Sequence, residues 1–150
     1  MATPRERLES DVRGALKAGE KERLSVLRML LSEVKNEQMS AGGEPDEVRF
    51  TALVRKAIKQ RQEAATQFRA GGREESAVKE EREAVLLAEY LPQAVPEETV
   101  RAAIRELIAA EGLSGPAAMG RLMKEILARF AGAVDGATVS RLAREELAGR

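Results

Sequence analysis

Glu80, Glu81 and Glu83 are the first residues in this sequence whose type and spacing could do chemistry, because clustered carboxylates can hold a divalent cation. No loop signature or further ligand set accompanies them, so a solvated acidic helix face is the expected arrangement. Seven serines occur, but the chain has no histidine and no cysteine. That excludes a Ser-His-Asp triad, a thiolate nucleophile, disulfides, Cys/His zinc sites and a histidine proton shuttle. A serine–lysine nucleophile would call for a Gly/Ser-rich loop of the amidase type, and none is present. Gly42-Gly43 and Gly71-Gly72 follow helical patterns rather than strands, so they read as helix C-caps and not as phosphate cradles. The sequence offers no catalytic set, no metal ligands and no cofactor signature.

Charge is the more informative signal. The 25 basic and 25 acidic residues cancel, so no global field attracts polyanions and any nucleic-acid surface must be a local patch. From Arg49 to Arg73 there are seven basic residues against one acidic, Glu63, and from Glu74 to Glu89 six acidic against two basic. These segments suit an antiparallel helical hairpin of complementary charge. The same residues Arg55, Lys56, Lys59, Arg69 and Arg73 could instead line RNA phosphates. The hairpin is favoured, because aromatics for base stacking make up only 3% of the chain. Arg61 falls on the apolar seam between Ile58 and Ala65, which calls for a buried or rim pairing with a carboxylate. Further along, Arg121, Lys124 and Arg129 share the polar side of one helix, and Arg141 and Arg144 occupy the outer face of the next. Arginine suits bidentate phosphate contacts, but these residues are also interleaved with Glu125, Glu145 and Glu146 as ordinary solubilising charges would be.

The elements that must position these residues are all helical. Thr3, Pro4 and Glu6 start the first helix, with Leu8, Val12 and Leu16 as its apolar stripe and Gly19 as its end. A second runs from about Glu20 to Ser40 with Leu24, Leu27, Leu30, Leu31 and Val34 on one face. The third runs from Asp46 to Ala70, with Phe50, Val54, Ala57, Ile58, Ala65 and Phe68 inward, and the fourth from Arg73 to Leu91. Pro92 and Pro96 block continuation and mark the boundary between an N-terminal bundle, 1–92, and a C-terminal unit, 93–150. Val100 to Ile108, Met119 to Phe130 and Val139 to Leu147 give three more helices, with Met119 and Met123 in the core. Gly120 inside a helix is expected to serve close helix–helix approach, with backbone access for RNA as the alternative. No window alternates with period two, so the fold class is all-α. The absence of an apolar leader or a membrane-length stretch gives a cytoplasmic expectation.

Four stretches resemble the GatB/YqeY family: Glu22 to Leu30; Lys59-Gln60-Arg61 with Phe68 and Ala70 to Arg73; Glu89-Tyr90-Leu91-Pro92; and Met119 to Lys124 followed by Gly132 and Asp135-Gly136. Their order and spacing cover nearly the whole chain. Glu74-Glu75-Ser76 and Pro96 depart from the pattern where an acidic residue followed by leucine, and a polar cap, are usual. The resemblance implies an N-terminal helical bundle of about four helices and a three-helix unit like the tail of the aspartyl/glutamyl-tRNA amidotransferase B subunit. It implies tRNA, and an amidotransferase or other protein, as partners, and it carries the family label of a carbon–nitrogen ligase with glutamine as amide donor. On that basis Lys56, Lys59, Arg73, Arg121, Lys124, Arg129, Arg141 and Arg144 are the candidate RNA-binding residues, and the chain is expected to bind without catalysis of its own. A helical adaptor with no RNA ligand is the alternative.

Overall fold

The computed structural model describes residues 2–130 and 132–149. Seven helices follow one another: α1 (Pro4–Ala18), α2 (Lys21–Ala41), α3 (Glu47–Ala70), α4 (Glu74–Ala88), α5 (Glu97–Glu111), α6 (Ala118–Arg129) and α7 (Gly136–Ala148). The fold is all-α, with no strand among the described residues. The chain divides into two compact units, Met1–Leu91 and Pro92–Arg150.

Local chemistry sets the helix ends. The Thr3 hydroxyl accepts a hydrogen bond from the Glu6 backbone N–H, and Asp46 does the same for Arg49 and Asp135 for Thr138. Each satisfies a donor that the first helical turn leaves without a partner. Gly19 ends α1 at φ 72°, a left-handed conformation that glycine adopts without steric cost. There the Glu20 N–H bonds back to the Ala15 carbonyl at 3.0 Å. Pro96 stands at the N-cap of α5 with no side-chain cap bond. α4 stops at Ala88, and Glu89 to Leu91 form turns ahead of Pro92, because the residue before a proline disfavours helix.

In the N-terminal unit, α3 and α4 make the most extensive helix contact, while α2 packs on α1, α3 and α4. Leu8, Val26, Leu27, Leu30, Val34, Phe50, Val54, Ala57 and Leu87 are its buried core. Leu16 does not join them: it is 57% exposed, and Ala15 is buried instead. At 3.6 residues per turn, Ala15 returns to within about 20° of Leu8, whereas Leu16 lies about 80° off that line. In the C-terminal unit α5, α6 and α7 pack pairwise around Val100, Ile104, Ile108, Leu122, Ile126, Val139 and Leu142, with Met119 and Met123 partly buried against them. Gly120 serves no close approach: it is exposed, and a Cβ built there meets nothing within 4 Å.

Tyr90 ties the end of the first unit to its start. Its ring meets Phe50 edge-on, centroids 6.0 Å apart at 85°, and its hydroxyl donates to the Asp11 carboxylate of α1. Burial, then the bond to Asp11, raises the phenol pKa above its ordinary 10.0. The folded protein therefore resists ionisation that the unfolded chain accepts. This contribution is whole below the unfolded value and is lost as pH climbs through it towards the folded one. Urea midpoints of wild type and Tyr90→Phe are expected to converge between about pH 9 and about pH 11.5, with wild type the more stable at the lower pH. A gap that stays constant with pH would show that the phenol does not contribute in this way.

Candidate nucleic-acid interface

Carboxylates and arginines in this chain are largely committed to one another. In the N-terminal unit Arg7 pairs with Glu47 at 2.7 Å, Arg23 with Glu89 at 2.6 Å, Arg49 with Glu37 at 2.7 Å and Arg82 with Glu22 at 3.1 Å. Across the α3–α4 hairpin, Arg69 holds both Glu74 at 3.0 Å and Glu81 at 2.7 Å, and its hydrogen bond keeps the Glu81 carboxyl below its ordinary range. Deeper in the same hairpin, Arg61 is buried with its Nε 3.1 Å from Glu83 Oε2, the carboxylate partner that the position on the seam calls for. Two of the three clustered carboxylates, Glu81 and Glu83, are thus engaged by arginines. No group of three or more potential metal ligands occurs among the described residues.

Lysines behave differently. Every ion pair between described residues is formed by an arginine, and none of the lysines makes one. The guanidinium's planar fork explains the division, since it can grip a carboxylate through two parallel N–H bonds, where an ammonium is a point charge.

That division sorts the candidate residues. Lys56 and Lys59 stand exposed on α3, about one turn apart, with no carboxylate partner. Arg73 is exposed just before α4, and its guanidinium lies over the Phe68 ring, 5.0 Å from the centroid. In the C-terminal unit Lys124 is exposed and unpaired. Its neighbours are engaged: Arg121 with Glu111 at 2.9 Å and Glu125 at 3.5 Å, and Arg129 with Glu106 at 3.4 Å. Arg141 pairs with Glu97 and with Glu145, and Arg144 donates to the Ser140 hydroxyl at 2.7 Å. Exposed ion pairs are worth little and yield readily to a stronger anion, but among these candidates only the lysines offer a charge with no existing partner.

Sequence reasoning overlooked the outer face of α2. Lys21, Arg28 and Lys35 recur there every seven residues, all exposed and without an ion pair. The signal was present in that spacing, with Ser25 and Ser32 one turn after Lys21 and Arg28, although Glu22 and Glu33 also stand between the charges in sequence. Sequence reasoning also passed over two Ser-x-x-Lys quartets, Ser32 to Lys35 and Ser76 to Lys79. Both lie along helices with the lysine exposed, and no hydrogen bond joins serine to lysine in either. Neither has the geometry of an activated nucleophile.

These features define an all-helical protein with exposed cationic faces on both of its units. The sequence model of the family described as Yqey-like protein matches residues 5–147. The chain belongs to that family. No curated protein matches it. No helix among the described residues is long and apolar enough to cross a membrane.

Proposed function

We propose that this chain is a tRNA-binding module related to the glutamine-dependent tRNA amidotransferases, acting without catalysis of its own and supplying contacts to an assembly whose chemistry lies elsewhere. The observation that carries this reading is the set of exposed cations, Lys21, Arg28, Lys35, Lys56, Lys59 and Lys124, left without carboxylate partners in a chain of zero net charge. Such groups release counterions when they meet phosphates, which makes affinity fall with salt. Titration of labelled bulk tRNA at several salt concentrations tests it. The expected result is a straight line of log affinity against log salt with a negative slope. Absence of binding at low salt, or binding indifferent to salt, would overturn the reading.

A second reading, a helical adaptor for a protein partner, is favoured by one feature of α4. Val78 and Val85, seven residues apart, are 37% and 67% exposed, and Val85 lines a shallow apolar depression with Leu86. Recovery of a stoichiometric protein partner that survives RNase treatment would favour it.

A further inference from the structure

The outer face of α2 combines three features that occur together nowhere else among the described residues of the N-terminal unit. First, Lys21, Arg28 and Lys35 form a straight cationic ridge. A seven-residue repeat on a helix returns to nearly the same angle, and the rise of 1.5 Å per residue sets neighbouring charges about 10.5 Å apart over a run of about 21 Å. Second, Ser25 and Ser32 lie between the charges, Lys21 to Ser25 and Arg28 to Ser32 each one turn apart, and both hydroxyls are exposed and uncommitted. Third, two shallow grooves run beside the ridge. One is lined by Lys21, Leu24, Ser25, Arg28, Met29 and Ser32, the other by Lys35, Gln38, Met39, Gly42, Gly43 and Arg5. Neither lining contains a carboxylate, whereas other depressions of this unit contain Glu22, or Glu6, Asp11 and Glu89. Of the cations in these grooves only Arg5 is already engaged, by Glu9 at 2.7 Å and by the Gln38 side-chain carbonyl, to which it donates.

The acids of α2 lie off this face. Glu22 is held by Arg82 of α4 and Glu37 by Arg49 of α3, while Glu33 stands about 120–160° around the helix from the three cations, so the ridge itself stays positive. A cationic line with hydroxyl donors between its charges is complementary to a regularly spaced polyanion. The phosphate backbone of a folded RNA fits: phosphate oxygens accept from lysine, arginine and serine, and backbone contact needs no aromatic platform, of which this face has none.

Resting on the tRNA-binding reading, we infer that the α2 face, through Lys21, Arg28 and Lys35 with Ser25 and Ser32, is a docking track for the phosphate backbone of a folded RNA. The contacts are electrostatic and specify position rather than base sequence.

The test uses the full chain with bulk tRNA as probe, comparing wild type with a Lys21→Glu, Arg28→Glu, Lys35→Glu triple variant by fluorescence anisotropy across salt. All three side chains are exposed, so the helical circular dichroism spectrum should be retained. Should the reversal fail to fold, the corresponding triple glutamine variant gives the same readout. The expected result is at least a tenfold loss of affinity at low salt and a salt slope shallower by about 2 to 3, the release attributable to three phosphate contacts. A folded variant with wild-type affinity and slope would overturn this proposal and leave the tRNA reading standing. No binding by wild type would overturn both. Displacement of tRNA by polyglutamate as effective, charge for charge, as by polyuridylate would overturn it in favour of an acidic protein partner.

Discussion

Glu83→Leu is expected to cost the N-terminal unit about 3–5 kcal/mol, the loss that follows when one member of a buried ion pair is removed and the other stays. Arg61 is only 8% exposed, so the guanidinium left behind has little access to water. Its existing contacts are few. Nε stands 3.1 Å from Glu83 Oε2 but is not aligned to donate a good hydrogen bond to it, and an Nη2 contact to Met29 Sδ is long at 3.6 Å. The pair is therefore held by proximity of charge more than by hydrogen-bond geometry. Imperfectly bonded buried pairs are often no better than apolar replacements of similar volume. The double variant Arg61→Met, Glu83→Leu should recover most of the loss. Urea unfolding followed by far-ultraviolet circular dichroism measures both. A single variant as stable as wild type would mean that the charge finds water despite its burial.

Phe50→Ala is expected to cost a comparable amount, about 3–5 kcal/mol, for a different reason. The Phe50 ring is 1% exposed and belongs to the core formed by all four N-terminal helices. Removing it deletes a large buried apolar surface and leaves a cavity that helices fixed by several ion pairs can close only in part. It also removes the edge-on contact with Tyr90, an aromatic pairing worth about 0.5–1.5 kcal/mol beyond burial. Phe50→Leu should lose less, because it retains most of the volume. The denaturation midpoint should shift without a change in slope. A loss from Phe50→Ala below that from Phe50→Leu would contradict the packing argument.

How much of this was legible in the sequence depends on which physical signal each feature leaves. Helix breakers and caps are local, so Thr3, Asp46, Gly19, Pro92 and Asp135 mark their ends directly. Arg61 was legible because a charge on an apolar seam demands a partner, although the sequence does not say that the partner is Glu83. Leu16 misled because periodicity finds an apolar direction but not how narrow the covered strip is. Gly120 misled because a helical glycine implies a neighbour only when something packs there, and its surroundings are open. Among the candidate contacts, Arg121, Arg129 and Arg141 look available in a linear sequence. Their partners Glu111, Glu106 and Glu97 lie far enough along the chain that only folding brings them near. The α2 ridge was concealed by the reverse effect, since acids adjacent in sequence, Glu22 and Glu37, turn to other helices and leave the cations alone.

The division of labour between the two basic residue types has a consequence for how this protein can vary. Most guanidinium groups are paired, many of them across helices, and ammonium groups stand idle on the surface. Exchanging a lysine alters what the surface attracts while every cross-helix tether stays in place, so ligand preference can drift in small steps on a constant scaffold. Exchanging a paired arginine disturbs both at once, which confines tolerated change largely to the lysines and to unpaired arginines such as Arg28.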